Sequence, residues 1–204
     1  MEKRANEPSA LMSKHESATS VWTHRDYFRQ FSLNVEQYGE ILIAQVFNGT
    51  KKGDAQPCYD VETSDYNMRL GLLAAGVSQG TVESCLSGLK DGVVRIEVKS
   101  KLAQTLAGRA TVIHCSDNKI DGARTHHPAT HFAVVLFDGA GNGIAEHAWL
   151  FSNEIARQLR RMETKSRYIS VSSLKVASRD GLNAIIDISC LINEAASEPL
   201  LLGS

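Results

Sequence analysis

Val93-Val94-Arg95-Ile96-Glu97-Val98-Lys99-Ser100-Lys101 alternates almost strictly between apolar and charged or polar side chains. A β-strand turns successive side chains to opposite faces, so Val94, Ile96 and Val98 belong to one face and Arg95, Glu97, Lys99 and Lys101 to the other. Residues 131–138, His-Phe-Ala-Val-Val-Leu-Phe-Asp, are apolar on both faces, as a central strand covered from both sides would be. The turn Asp138-Gly-Ala-Gly-Asn-Gly143 leads from it into residues 144–151, which alternate again. Further strands are expected at residues 58–61, 110–115 and 168–174. Helices are expected over residues 22–31, 34–48, 152–161 and 181–194. In the second of these Asn34 can cap the start, Asn48-Gly49 ends it, and Val35, Tyr38, Leu42 and Gln45 share one face. The expected fold class is α/β, a central mixed β-sheet flanked by helices.

Glu97 and Lys99 stand two apart on the charged face, which sets an acid and an amine side by side with the Val98 carbonyl between them. Carboxylate and carbonyl oxygens suit a divalent cation, and an ammonium beside them can position a water. A solvated strand face reads the same way, and the chain holds two more acid-x-Lys triplets, at residues 117–119 and 163–165, expected in a loop and at a helix end. The triplet gains meaning from Asp60 on the preceding strand: if the two strands pair, two carboxylates converge and repel unless a cation lies between them. Glu40 on the helix before can bring a third carboxylate to the same end of the sheet, or be a solvated helix-surface residue.

The tract Gln56-Pro57-Cys58-Tyr59-Asp60, followed by Arg95-Ile96-Glu97-Val98-Lys99, resembles the PD-(D/E)xK nuclease superfamily, whose members include chains reading Pro-Gly-Tyr-Asp and later Ile-Glu-Val-Lys. The resemblance covers residues 33–160 and implies a restriction-endonuclease-like fold. It also implies Mg²⁺-dependent hydrolysis of DNA phosphodiester bonds, with Mn²⁺ as a substitute ion. Asp60, Glu97 and the Val98 carbonyl would bind the metal, Lys99 would orient the attacking water, and Glu40 would hold a second metal or a metal-bound water. Two departures stand out: Pro57 lies three residues before Asp60, and 36 residues separate Asp60 from Glu97. Asp65 and Asp91 are the alternative aspartates.

The long spacer, with an insertion expected over residues 66–91, contains Ala75-Gly76-Val77-Ser78 and then Thr81-Val82 and Leu86, which resembles a bacterial helix-turn-helix. Gly76 permits the tight turn, Ser78 caps the second helix, and Gln79 and Thr81 point outward, where they can touch DNA. A plain αα-hairpin packed on the sheet fits the same residues. Arg157, Arg160, Arg161, Lys165 and Arg167 form the densest basic run, either a solvated helix face or a phosphate-contact strip. The histidines within residues 126–131 lack an acidic or cysteine companion and fit a loop better than a metal site.

The chain has 204 residues, 43% hydrophobic and 22% charged, enough for one soluble domain with a real core. No apolar run is long enough for a membrane span, and residues 1–20 read as a flexible polar tail without an export signal. Cys58, Cys85, Cys115 and Cys190 are far apart, against a zinc ribbon or disulfide scaffold and in favour of a reducing, cytoplasmic setting. A net charge of −1 excludes a wholly basic nucleic-acid coat, though not a local basic groove. There is no phosphate-cradling glycine loop and no Gly-x-Ser-x-Gly elbow, which removes nucleotide-triphosphatase and serine-hydrolase readings. A homodimer is the expected assembly on duplex DNA, since one such centre cuts one strand. Residues 176–204, with Leu182, Ile185, Ile186, Ile188, Leu191, Ile192 and the leucines 200–202, are the expected dimer element, or else a cover for the protomer's own sheet. The competing function is a nuclease-like module that binds DNA or protein without cleaving.

Overall fold

Among the described residues the strand that carries Glu97 and Lys99 is the longest, and everything around the site is arranged on it. The computed structural model describes residues 23–31, 34–53, 58–103, 112–122, 127–162, 168–179 and 185–198. In chain order its elements are α1 (His24–Phe31), α2 (Val35–Val46), β1 (Thr50–Lys51), β2 (Val61–Ser64), α3 (Asp65–Ala74), α4 (Gln79–Cys85), β3 (Val93–Leu102) and β4 (Val112–His114). They continue with α5 (Asp117–Asp121), β5 (His131–Phe137), β6 (Ala145–Ser152), α6 (Asn153–Met162), β7 (Tyr168–Ser170), α7 (Val171–Arg179), β8 (Ile185–Asp187) and α8 (Ser189–Ser197).

Six strands form one sheet in the order β1-β2-β3-β5-β6-β8, and β4 pairs with β7 in a separate ribbon. Pairing is antiparallel everywhere in the large sheet except between β3 and β5, which run parallel with Ile96 opposite His131 and Lys99 opposite Val134. The fold class is therefore α/β with a mixed sheet flanked by helices, as the alternation predicts. All seven residues of β5 are buried, the signature of a strand covered on both faces.

Two apolar cores follow from that parity. Val94, Ile96 and Val98 join Ala133, Val135 and Phe137 in the first, with Tyr38, Leu42 and Ile43 of α2, Met68 and Leu72 of α3, Val82 of α4 and Ile192 of α8. Phe132, Val134 and Leu136 join Trp149, Phe151, Ile120 of α5, Ile155 and Leu159 of α6 and Leu174 of α7 in the second. The charged face of β3 looks toward this second side. Among the described residues no helix is long and apolar enough to cross a membrane.

Local caps explain the helix starts. The Asn34 side chain accepts from the Glu36 amide at 2.8 Å, Ser64 from Asn67 at 3.1 Å and Ser78 from Thr81 at 3.2 Å. Helix α2 lies so close to β3 that a Cβ on Gly39 would stand 1.8 Å from the Ser100 Oγ. The insertion between β2 and β3 is an αα-hairpin turned at Gly76, whose φ is +79°. Met68, Leu72, Val82, Cys85 and Leu86 bury it in the first core, the packing of a plain hairpin on the sheet.

Three expectations need correction. The strand expected at residues 58–61 lies instead at Val61–Ser64, with Asp60 just before it. The strand expected at 168–174 ends at Ser170, whose hydroxyl accepts from the Ser173 amide at 3.0 Å. Val171, Leu174 and Ala177 then recur at helical spacing as the buried face of α7. The single helix expected at 181–194 is a strand and a helix. The β-branched run Ile185-Ile186 pairs with β6, and Asp187 accepts from the Ser189 amide at 2.9 Å, which starts α8. Residues 1–22, Pro57, residues 110–111, His126, Lys165, Arg167, Leu182 and residues 199–204 lie outside the described residues.

Candidate active site

Strand β2 is shorter than β3. Its last partner is Val61, opposite Ile96, so beyond Ile96 the outer edge of β3 has no paired strand among the described residues. Asp60 takes over at that point. Its amide donates to the Ile96 carbonyl at 2.9 Å and its own carbonyl accepts from the Lys52 amide at 2.7 Å. Its side chain does what a strand would have done, accepting the Val98 N–H on Oδ2 at 2.8 Å. In a strand the N–H and C=O of one residue point the same way, so the Val98 carbonyl faces this open edge too. Of the three aspartates the sequence left open, Asp60 is the one brought to Glu97-Val98-Lys99. Asp65 lies 3.7 Å from Arg69 on α3, and Asp91 lies 2.6 Å from Arg95.

Glu97 is completely buried, at 0% exposure. Two ammonium groups meet it: Lys99 Nζ lies 2.6 Å from Oε1, and Lys119 Nζ lies 2.8 Å from Oε2. Each carboxylate oxygen is thus held by one ammonium group, and the side chain has no contact with solvent. Burial pushes the Glu97 carboxyl above its ordinary range; Lys99 pulls it back, the Asp60 charge adds to the rise, and Lys119 opposes it. Burial alone would lower the Lys99 ammonium, but Glu97, then Asp60 and Glu36, more than offset that and hold it above its usual value. Lys99 is therefore a cation at neutral pH. The carboxylate repulsion expected from the sequence is balanced within the protein, two carboxylates against two lysines.

Glu40 sits at the same edge but is turned to Lys51 of β1, 3.0 Å away. Burial raises its carboxyl, the Lys51 ammonium opposes this, and the Asp60 charge adds to the rise. Among the described residues no three His, Cys, Asp or Glu side chains gather into a metal-ligand group, so Glu40 is not brought into one set with Asp60 and Glu97. The remaining donors are of the kind a hard cation takes: one carboxylate oriented by a backbone amide, one buried carboxylate shared by two lysines, and a carbonyl on the same edge. All are oxygen atoms, the donor type of Mg²⁺ and Mn²⁺. On that ground the residues fit the ion.

Lys119 is the residue that sequence reasoning missed. It belongs to Asp117-Asn118-Lys119, a triplet expected in a loop, which in fact forms the short helix α5. Only the fold over β3 reveals its role, since α5 is 20 residues from Glu97 in the chain. The signal available beforehand was weak: an acid-x-Lys triplet after a serine.

The expected DNA-binding residues lie on two helices, Gln79 and Thr81 on α4 and the three arginines on α6. Gln79 is exposed on α4 and donates to Glu83 of its own helix at 2.9 Å. Thr81 is half-buried and its hydroxyl lies 2.8 Å from that of Ser78. Arg157 pairs with Asp121 at 2.9 Å, and Arg160 with Asp117 at 2.6 Å. The Arg161 side chain lies outside the described residues. A cavity of about 420 Å³ opens between the Ser87–Lys90 loop and the start of α6, reached by Lys90, Thr130, Asn153 and Arg157. None of Asp60, Glu97 and Lys99 lines it.

The chain matches no protein-family model and no curated protein.

Proposed function

We propose that this chain is a Mg²⁺-dependent endonuclease of restriction-endonuclease-like fold that hydrolyses DNA phosphodiester bonds in the cytoplasm. One observation carries the reading: the fully buried Glu97 carboxylate, with Lys99 and Lys119 on its two oxygens, beside Asp60 clamped on the Val98 amide. Burying a carboxylate costs folding free energy even when it is paired with cations, and such a cost is commonly retained where chemistry needs it.

Asp60, Glu97 and the Val98 carbonyl would hold the ion at the open edge of β3. A bound divalent cation supplies Lewis acidity, polarising a phosphoryl oxygen and acidifying water. Lys99 donates to the attacking water, orients it toward phosphorus and offsets the negative charge that gathers on the phosphoryl oxygens in the transition state. Glu40, partly buried and held by Lys51, keeps negative potential on the Asp60 side and can take up a metal-bound water. Since one such centre cuts one strand, double-strand cleavage calls for two copies of the chain, a homodimer on duplex DNA.

The test is to incubate plasmid with the protein in Mg²⁺ or Mn²⁺. Cleavage is expected, and Glu97→Ala and Lys99→Ala should each reduce it by about 100-fold or more. Cleavage that survives both substitutions overturns the assignment of the site. DNA binding without cleavage of duplex, single-stranded or modified DNA supports the alternative, a nuclease-like binding module.

A further inference from the structure

Lys119 has no part in the site as the sequence presents it, yet its ammonium is nearly as close to Glu97 as that of Lys99. It arrives on α5, a helix of five residues. So short a helix does not hold its place by itself, and α6 holds it. The Asn153 side-chain Nδ2 donates to the Ile120 carbonyl at 2.7 Å, Arg157 reaches Asp121 and Arg160 reaches Asp117. The Lys119 carbonyl also accepts from the Ala129 amide at 3.0 Å. Arg157 and Arg160 thus act as struts that present Lys119 to Glu97.

One lysine, Lys99, already meets Glu97 from the same strand, so pairing the carboxylate does not by itself require a second. The Lys119 side chain is about one-fifth exposed, so its ammonium has a way outward, while Glu97 has none. Lys99 holds Oε1 and Lys119 holds Oε2, so a divalent cation that took Oε2 would displace the Lys119 ammonium and leave Lys99 in place.

We infer that Lys119 is a positioning residue that competes with the divalent cation for Glu97 and, once displaced, binds a DNA phosphate, so that ion binding and DNA binding favour one another. This rests on the proposed metal-dependent nuclease. In the displaced state the carboxylate keeps a positive partner in the ion, and the freed ammonium keeps a negative one in the phosphate. No buried charge is left alone in either state.

The experiment is a calorimetric titration of the full chain with Mn²⁺ alone, without DNA, comparing wild type with Lys119→Met and Lys119→Arg. Removing the competing ammonium should tighten Mn²⁺ binding about tenfold in Lys119→Met. Lys119→Arg, which keeps the cation, should stay within a few-fold of wild type, and thermal melts establish that both variants are folded. In a second measurement a fluorescent duplex is bound in Ca²⁺ at increasing salt. The log–log slope against salt should fall by about one in Lys119→Met, because one phosphate is no longer neutralised by the protein. Equal Mn²⁺ affinity in wild type and Lys119→Met, or an unchanged salt slope, overturns the inference while leaving the metal site standing. A wild type and variants that all ignore millimolar Mn²⁺ overturn the metal-dependent reading itself, and this inference with it.

Discussion

His131 shows how one residue couples the site's supports to pH. It begins β5, opposite Ile96 of β3, and is buried at 1% exposure. Its Nε2 faces the Cys85 carbonyl at 2.9 Å, which can only accept, so the ring proton sits there. Nδ1 lies 3.0 Å from the Thr130 hydroxyl. The ring thereby ties the end of α4 to the sheet. Burial lowers its pKa to about 4, with the Cys85 carbonyl opposing the fall. Below 6.5 the unfolded chain takes a proton that the folded chain refuses until about pH 4. Stability is therefore full above 6.5 and lost as pH falls toward 4, by roughly 3 kcal/mol over that window. Urea unfolding at pH 7, 5.5 and 4 checks this. Wild type should lose that much more stability than His131→Gln across the series, and parallel losses in the two proteins would place the linkage elsewhere.

Among elements, the packing of α2 on β3 positions the site most directly, because it presses the apolar face of β3 into the first core while Glu97 and Lys99 face the other way. The approach depends on Gly39. A methyl group there would meet Ser100 Oγ at 1.8 Å and Ser100 Cβ at 2.9 Å, and the second distance does not yield to a simple rotamer change. Gly39→Ala should destabilise the protein by about 1–3 kcal/mol through overpacking, partly offset by the better helix propensity of alanine. Denaturant midpoints measure the effect, and combining it with Ser100→Gly should restore most of the stability. A Gly39→Ala protein as stable as wild type would mean that α2 shifts outward freely. The insertion α3–α4 is a different kind of element. Its outer face carries Tyr66, Leu70 and Leu73 exposed, while its inner face belongs to the core.

At the scale of the whole molecule the C-terminal segment closes the sheet. Strand β8 pairs with β6, and the Ile188 amide donates to the Ala148 carbonyl at 2.9 Å. The Asn193 side-chain Nδ2 donates to the Ala145 carbonyl at 3.0 Å, and Gln45 of α2 donates to Glu198. Ile186, Ile188, Ile192, Ala195 and Ala196 are all buried in the first core. Of the residues expected as a dimer element, the described Ile185, Ile186, Ile188 and Ile192 are buried inside the protomer. Ending the chain after residue 184 should remove the cooperative thermal transition, since it uncovers one face of β6 and leaves an unpaired edge. A folded, soluble monomer from that truncation would instead show the segment to be an accessory.

What could be read from the sequence was whatever local periodicity encodes. The alternation of residues 93–101 specifies a strand with one charged face, the apolar run of residues 131–137 specifies a covered strand, and Asn34 and Ser78 announce their helices through side-chain caps. Those features place Glu97, Val98 and Lys99 together on one strand, because neighbours in a strand are neighbours in space. Local signals failed where a short polar residue ended one element and started another, as Ser170 and Asp187 do. They could not choose among Asp60, Asp65 and Asp91, because that choice depends on where β2 runs out against β3. Nor could they show Lys51 on Glu40, Arg160 on Asp117 or Lys119 on Glu97. Such pairs join residues far apart in the chain, at distances set by the packing of helices on a sheet, and the tertiary structure alone decides them.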